Sequence, residues 1–204
     1  MICFSFYSFL GWILEVVYRS LNQKVFVNAG FLQGPFVPIY GVATTALIFL
    51  NEYSETYPMV VQFVLYALVA SMIEYVISFL AERVLHLRLW SYSDNRFNIR
   101  GRICLKYSLI WGFFGIFFVE VLHPAVWGKV LFLKDMQAII IASLFSVYFV
   151  IDFTISISLG RKLGHLLEAG YQRIIALEPF ELEKRLRQEK RLLLAFSHIR
   201  KNMS

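Results

Sequence analysis

Charged side chains are scarce in this 204-residue chain, in which Asp, Glu, Lys and Arg make up 17% of residues and hydrophobic residues 58%. Soluble domains average roughly a quarter charged residues. The mean hydropathy is +0.62. A soluble fold of this length would have to bury five nearly all-apolar helices in its core. The composition therefore excludes an ordinary soluble protein and indicates a membrane protein.

Residue types and motifs typical of catalysis or metal binding are also missing. The two cysteines, Cys3 and Cys104, lie in apolar windows without a paired or metal-like spacing, so we expect small core residues. The four histidines show no metal spacing, and neither an HExxH motif nor a nucleophile elbow occurs. We therefore expect no enzymatic activity, no metal and no cofactor, with an intramembrane enzyme kept only as a third hypothesis.

Two further classes lack support in the sequence. The net charge is +6, but the basic residues sit beside apolar windows and no nucleic-acid fold signature occurs, so we predict no nucleic-acid partner. The first apolar window has neither a basic leader nor an Ala-x-Ala-like exit. We therefore expect it to be a retained first span and not a cleaved signal peptide.

What the chain does have is long apolar windows that approach the ~20 residues a spanning helix needs. The five clearest are Ile2–Tyr18, Phe36–Leu50, Met59–Ala81, Ile103–Leu122 and Ala138–Leu159. They predict an all-α, polytopic membrane protein with about five transmembrane helices. We assign residues 1–160 to a helical transmembrane domain and residues 161–204 to a basic cytosolic helical extension.

The distribution of Lys and Arg predicts the orientation of these spans. The loop after span one holds Arg19 and Lys24, the loop between spans three and four holds five arginines, and the chain from Gly160 onward holds ten basic residues. The regions predicted to lie on one side of the membrane thus hold 17 basic residues, and those on the other side hold two. Because cytoplasmic loops carry the excess of basic residues, five spans place the amino terminus outside and the carboxyl terminus in the cytoplasm.

The extension has the pattern of an amphipathic helix. Its apolar residues fall near one face, and basic residues occupy most of the remainder. The apolar positions are Leu182, Leu186, Leu193, Phe196 and Ile199. Three interpretations stay open: a helix lying on anionic lipid, a helix that docks on a partner or self-associates, and a solvated tail.

The segment Gly30–Gly41, GFLQGPFVPIYG, interrupts this apolar pattern with glycine and proline. Such residues normally mark a surface loop, because glycine permits unusual backbone angles and proline removes a donor. At membrane depth, irregular backbone is tolerated only where it is buried in protein or lines a cavity. The segment is therefore our first candidate for a functional site. Its candidate residues are Gly30, Gly34, Pro35, Pro38, Tyr40 and Gly41.

Four acids lie within or near the ends of apolar windows, where an unpaired charge is costly. Glu15 precedes Arg19 by four residues, which indicates an ion pair, and Glu120 lies close enough to the outer end of span four to reach the interface. Glu74 and Asp152 lie deeper. For both, two interpretations stay open: a protonated or hydrogen-bonded packing residue, and a residue that lines a solute or ion path.

The loop between spans three and four, Leu89–Arg102, is rich in aromatic residues, Asn, Ser and Arg. We predict an ordered loop at the cytoplasmic interface. Trp90 and Tyr92 suit the headgroup layer, where amphipathic rings collect. A role in ligand binding is the alternative for both rings.

Several of these segments together resemble a known family. FLGWILEVVY (Phe9–Tyr18), GFLQGPFVPIYG, IEYVISFLAERVLHLRLWSYS (Ile73–Ser93) and GRICLKYSLIWG (Gly101–Gly112) occur in the order found in the bacterial family labelled "Putative ABC-transporter type IV", or CmpB-like permeases. The resemblance covers residues 1 to about 160. It implies a multi-spanning transporter permease. Its motifs also favour Glu82, Arg102 and Trp111, of which Arg102 joins the candidate residues.

The leading hypothesis is therefore a permease subunit in the bacterial cytoplasmic membrane. Its solute site would be formed by the Gly30–Gly41 segment with Glu15, Glu74, Arg102 and Asp152. The chain has no GxxxxGK[ST] phosphate loop, so an ATPase would have to be a separate subunit. Its other expected partners are the lipid bilayer and a second copy of the chain. The alternative is a non-catalytic membrane scaffold that binds lipid or a partner.

Overall fold

The computed structural model describes residues 1–130 and 135–174, and helices account for most of them. In chain order the helices are α1 Ile2–Gln23, α2 Pro38–Ser54, α3 Met59–Leu85, α4 Leu105–Phe117, α5 His123–Val130 and α6 Asp135–Ile174. The predicted all-α class is confirmed. The predicted amphipathic helix of the extension lies outside the described residues.

Short irregular elements join some of these helices. A π-helical turn, Phe118–Leu122, continues α4 into α5. Two antiparallel strands of two residues each, β1 Asn98–Ile99 and β2 Ile103–Cys104, lie in the loop between α3 and α4.

Four helices among the described residues are long and apolar enough to cross a membrane. They are α1, α3, the continuous run Leu105–Trp127 and the part Met136–His165 of α6. The fifth predicted span is α2, which has 17 residues. At 1.5 Å per residue it measures ~26 Å, a little less than the ~30 Å thickness of a hydrocarbon core. The apolar window Phe36–Leu50 located this helix, which begins two residues later than predicted and ends four residues later.

Local sequence explains where the helices begin and end. Pro38 is the first residue of α2, where its missing N–H and its fixed φ are favourable. Pro58 immediately precedes α3. Lys24 and His86 end α1 and α3 in left-handed conformations, with φ values of 55° and 54°. α6 continues without a break through residue 160, where we drew the boundary of the extension, so that division stays a prediction.

The first four helices pack as antiparallel neighbours. Tyr40 at the start of α2 lies against Gly11 of α1, and Leu47, further along α2, joins a buried cluster with Tyr7 and Tyr66. On α4, Gly115 allows close approach, because a Cβ there would come within 2.8 Å of the Tyr66 side chain. The antiparallel arrangement brings the end of α1, the start of α2 and the second half of α3 to one level.

Large apolar side chains remain exposed on the outer faces of the spans. Only 6% of the most apolar window of α6 and 33% of that of α3 are buried within the protein. Leu68 and Phe113, for example, are more than half exposed. Such surfaces are unfavourable in water and match the side chains that face lipid in helical membrane proteins. The buried polar residues described next are therefore enclosed by protein, and the protein in turn by lipid.

Candidate functional site

The Gly30–Gly41 segment is partly buried between α1 and α6, and its last four residues form the start of α2. Leu32 and Phe36 are buried with Phe149 of α6, and the Val37 N–H donates a 2.9 Å hydrogen bond to the Ser8 carbonyl of α1. Irregular backbone at this position therefore meets the first of the two conditions for survival in a membrane, burial in protein. The segment is therefore an ordered connection that packs between helices.

Asp152 of α6 holds this segment through its carboxylate. Its Oδ1 accepts hydrogen bonds from the Gln33 N–H at 2.9 Å and the Ser156 hydroxyl at 3.1 Å. Its Oδ2 accepts from the Gly34 N–H at 2.9 Å and the Tyr148 hydroxyl at 3.0 Å. The side chain is buried. We call this arrangement the Asp152 latch; it corresponds to the packing interpretation of Asp152, because both carboxylate oxygens bind the protein itself.

The glycines of the segment have separate roles. Gly30 has φ +93°, which other residues rarely adopt. A Cβ on Gly34 would overlap the Tyr148 hydroxyl, and one on Gly41 would overlap the Ser8 hydroxyl of α1. Pro35 lies half-buried beside Gly34. These positions shape the backbone and its close contacts, whereas the polar chemistry of the segment lies in Tyr40.

Tyr40 connects the segment to the acid of α1. Its hydroxyl donates to Glu15 Oε1 at 3.2 Å, and Arg19 Nε donates to Glu15 Oε2 at 2.8 Å. The predicted ion pair between Glu15 and Arg19 is thus present. The side chains of Glu15 and Arg19 are about a quarter exposed, so this pair stands at the edge of the bundle.

Glu74 of α3 is the most deeply buried of the predicted acids near Tyr40. Only 5% of the residue is exposed. Its Oε1 accepts a 2.6 Å hydrogen bond from the Tyr92 hydroxyl. Its Oε2 is fully buried and has no hydrogen-bond partner that meets standard geometry among the described residues, although the Trp111 indole lies close by. Tyr40 lies near enough to interact with Glu74 electrostatically.

We call these five residues, Glu15, Tyr40, Glu74, Tyr92 and Trp111, the Glu74 site. Ser71 and Ser78 extend its polar surface along the same face of α3, and Ser71 donates to the Ser108 hydroxyl of α4 at 2.7 Å. Tyr40 and Trp111 are adjacent, with ring centroids 6.3 Å apart. The site therefore joins four helices and the loop after α3 at one level of the bundle.

Tyr92 makes its polar contact within the protein, which favours the binding alternative over the headgroup layer. Its hydroxyl points to Glu74, and its ring stacks on Tyr107 with centroids 4.6 Å apart. Burial raises the pKa of this hydroxyl, and the adjacent Glu74 carboxylate raises it further, so the hydroxyl stays protonated and donates. Trp90 also bonds within the protein, from its indole N–H to the Arg102 carbonyl at 3.0 Å.

Arg102 belongs to a second group of charges at the end of α3. Its guanidinium binds Glu82 in an ion pair and donates to the Tyr75 hydroxyl at 3.2 Å. Arg88 binds the other oxygen of Glu82 at 2.9 Å. Arg102 also lies over the ring of Phe79, 5.3 Å from its centroid. This Glu82 cluster fastens both ends of the loop to α3.

The structure thus divides the predicted residues into three groups. Glu15, Tyr40 and Glu74 meet in one site, Arg102 belongs to the Glu82 cluster, and Asp152 to the latch. Glu120 lies exposed in the π-helical turn. The family motifs favoured Glu82 and Trp111, but neither was placed in the candidate site, since an acid at a helix end and a ring within an apolar run are ordinary features. Among the described residues, no three His, Cys, Asp or Glu side chains are arranged to hold a metal ion.

Comparison with known proteins agrees with this architecture. The family model described as "Putative ABC-transporter type IV" matches residues 2–157, which run from the start of α1 through most of α6. No curated protein matches the chain, and no solved structure does. The resemblance stated from the sequence is confirmed. The chain is a multi-pass helical membrane protein that belongs to the "Putative ABC-transporter type IV" family.

Proposed function

We propose that this chain is a permease subunit that moves a small solute across the bacterial cytoplasmic membrane, and that the Glu74 site binds this solute. Family membership and the four long apolar helices support a membrane component of a transport system. We further propose that the amino terminus faces outward and that the carboxyl terminus lies in the cytoplasm, as the basic residues predict.

One observation carries the assignment of the site. Glu74 Oε2 is buried in a membrane helix without a protein hydrogen-bond partner that meets standard geometry among the described residues. A buried acceptor in this state costs free energy of about 1–3 kcal/mol, and more when it is charged. A packing role alone would favour full satisfaction, as at Asp152. A carboxylate oxygen without a protein partner can accept a hydrogen bond from a bound ligand.

The energy for transport would come from another protein. The sequence contains no GxxxxGK[ST] phosphate loop, so we propose a separate ATPase subunit and no enzymatic activity in this chain. Transport then requires that the ATPase bind a loop or terminus of this chain that contacts the Glu74 site. Tyr92 offers such a connection, because it extends from the loop after α3 to Glu74.

The proposal can be tested with Glu74→Gln, which keeps the size of the side chain and removes its charge. Cells that lack the chain are compared with cells in which it is restored, to find solutes whose cellular content differs. Uptake or efflux of such a solute is then measured. We expect Glu74→Gln to lower the rate at least tenfold, with an unchanged amount of protein in the membrane.

The matched control is Glu52→Gln, because Glu52 is an exposed acid near the end of α2. It should transport at the rate of the unaltered chain. Equal rates for the unaltered chain and Glu74→Gln would refute the assignment of the site. Restoration without any change in solute content would refute the permease role.

A scaffold without transport is the second candidate, and the Asp152 latch favours it. The latch uses both oxygens of a deep acid for structure alone, so polar residues in these spans do not by themselves require a solute path. A scaffold would be expected to act through its extension. Deletion of residues 180–204 should then abolish complex formation while the helical domain still inserts, and transport should be absent in all variants.

A further inference from the structure

We propose that the solute of the Glu74 site carries a primary ammonium group. This inference rests on the proposed permease function and names its class of substrate. It comes from three properties of the site among the described residues: a carboxylate oxygen without a hydrogen-bond partner of standard geometry, the absence of an ion pair with Lys or Arg, and nearby aromatic residues.

The charge of Glu74 is not balanced by the protein. In the described part of the chain, the acids of α1 and α3 that form ion pairs are Glu15, with Arg19, and Glu82, with Arg88 and Arg102. In the described ranges, Glu74 has the Tyr92 hydroxyl as its hydrogen-bond partner, with the Trp111 indole close by, and it forms no ion pair with Lys or Arg. A carboxylate enclosed by apolar spans is neutralised by a proton or by a cation. An incoming ammonium group would do this at Oε2.

The neighbouring rings favour the same ligand. Aromatic rings attract cations that lie within about 6 Å of the ring centroid, with Trp the strongest. Tyr92 bonds to Glu74, Trp111 lies close to it, and Tyr40 is near enough to interact with it electrostatically. Anionic solutes would be repelled by Glu74 and by Glu15. For a divalent metal ion, the described residues offer no group of three His, Cys, Asp or Glu side chains at this site.

The hydrogen-bonding capacity of the site selects a primary ammonium over a quaternary one. A primary ammonium has three N–H donors. Glu74 Oε2 can accept one, and the hydroxyl oxygens of Tyr40 and Tyr92 retain lone pairs after donating their own protons. A quaternary ammonium has no N–H and would leave Oε2 unsatisfied. Binding should therefore fall from ethylammonium to tetramethylammonium.

The test uses the purified full chain in detergent and ethylammonium chloride as the probe. Binding is measured by the rise in thermal unfolding temperature and by the change in tryptophan fluorescence. Tetramethylammonium chloride and sodium chloride at the same concentration control for salt, and ethanol controls for the ethyl group. We expect stabilisation by ethylammonium alone, an apparent Kd at least tenfold weaker in Glu74→Gln, and an unchanged Kd in Glu52→Gln.

A second variant keeps the test decisive if Glu74→Gln does not fold. Trp111→Leu leaves the carboxylate in place and removes the ring, so binding of ethylammonium should weaken several-fold. Stabilisation by all salts alike, or by none, would overturn the ammonium assignment. A protonated Glu74 without a cation would give the second result. Transport that depends on Glu74 while ethylammonium does not bind would overturn this inference and leave the permease function intact.

A separate observation concerns the loop between α3 and α4. Phe97 and Ile99 are 77% and 55% exposed, and two exposed arginines, Arg96 and Arg100, flank them. Phe97 and Arg100 have positive φ values of 55° and 54°, a left-handed conformation that is unfavourable for residues with a side chain. The loop thus holds apolar and basic side chains outward at a conformational cost. We call residues 96–100 the hairpin tip.

We infer that the hairpin tip binds the anionic headgroup layer of the membrane. The loop leaves α3 at Leu85 and enters α4 at Leu105, so it lies where two neighbouring spans reach one membrane surface. Arginines bind lipid phosphates, and exposed apolar side chains enter the boundary between headgroups and acyl chains. A charged protein surface alone would explain the arginines but not Phe97 and Ile99 between them.

The inference is tested in the full chain reconstituted in vesicles of phosphatidylcholine, or of an equal mixture with phosphatidylglycerol. A fluorescent label on Phe97→Cys, in a chain with Cys3→Ala and Cys104→Ala, should be quenched by brominated lipids. Arg96→Gln with Arg100→Gln should weaken quenching in the anionic vesicles several-fold. The same label on Glu55→Cys, in the turn after α2, is the comparison.

A label that remains in water in both vesicles would overturn the lipid assignment. Shielding that requires an added soluble protein would overturn it in favour of a protein partner.

Discussion

At the scale of single residues, Asp152 explains how an irregular segment persists among membrane helices. Four hydrogen bonds meet on its carboxylate, and two of them come from backbone N–H groups at Gln33 and Gly34. Backbone groups outside a helix lack internal partners, and lipid offers none. One acid on α6 therefore satisfies donors that would otherwise exclude this segment from the bilayer.

Replacement of this acid should lower stability. Asp152→Asn keeps one oxygen, but its amide group faces two donors and cannot accept from them. We expect the free energy of unfolding to fall by about 1–3 kcal/mol. For a chain of this length this corresponds to roughly 2–4 °C per kcal/mol in the thermal unfolding temperature. The measurement is thermal unfolding of the purified chain in detergent.

Thr154→Val is the matched control, since Thr154 is an exposed α6 residue whose hydroxyl donates to the Val150 carbonyl of its own helix. Equal unfolding temperatures for Asp152→Asn and the unaltered chain would show that the latch adds nothing to stability.

Gly34 should be intolerant of any side chain. In Gly34→Ala the new Cβ would overlap the Tyr148 hydroxyl and lie 3.0 Å from Asp152 Oδ2. We expect a loss of about 1–3 kcal/mol in stability, typical of overpacking. Tyr148→Phe removes the overlapping oxygen, so the double variant should recover part of the loss in a thermal unfolding assay. Strictly additive effects of the two substitutions would contradict this contact.

At the scale of elements, the loop between α3 and α4 binds to α3 at two points. Tyr92 binds Glu74 in the second half of α3, and Arg102 binds Glu82 one turn before its end. Arg102 has 9% of its surface exposed and contacts the faces of Tyr75 and Phe79. The loop is therefore an ordered part of the helical bundle.

Weakening the Glu82 cluster should release this loop. Arg102→Lys keeps the charge but loses the planar group that binds Glu82 and Tyr75 together. We expect trypsin to cleave at Arg96 and Arg100 several-fold faster in purified protein, followed by gel electrophoresis and mass spectrometry. Arg83→Lys, at an exposed position of the same helix end, should leave the rate unchanged. Faster cleavage in both variants would point to general destabilisation.

The elements themselves and the local Glu15–Arg19 ion pair could be predicted from the sequence, but the long-range partners of the polar residues could not. Apolar windows gave the positions of α1 and α3 because lipid requires long uninterrupted apolar runs. Asp152 and Gly34, in contrast, are 118 positions apart. Their contact depends on how α6 packs, and no local pattern encodes that. The same is true of the contact between Tyr92 and Glu74, because the amphipathic ring of Tyr92 is equally typical of the headgroup layer.

At the scale of the whole molecule, basic residues and helix lengths bear on the same question, the number of membrane crossings. The excess of basic residues in alternate loops requires an odd number of crossings, whereas α2 is shorter than a typical span. α2 nevertheless runs antiparallel to α1 and packs against both α1 and α3. Thinning of the bilayer near a short helix costs only fractions of a kcal/mol per Å. We therefore expect α2 to cross.

The number of crossings can be measured by labelling single cysteines. In a chain with Cys3→Ala and Cys104→Ala, we introduce Lys24→Cys, Glu55→Cys or Arg96→Cys and treat intact cells with a maleimide that cannot cross membranes. Five crossings predict labelling at Glu55→Cys only, and labelling at the other two positions only after the cells are opened. If α2 entered and left on one side, Lys24→Cys and Glu55→Cys would behave alike. Labelling of Arg96→Cys in intact cells would reverse the orientation and place the loop after α3 outside, where a cytoplasmic ATPase could not reach Tyr92 and the Glu74 site.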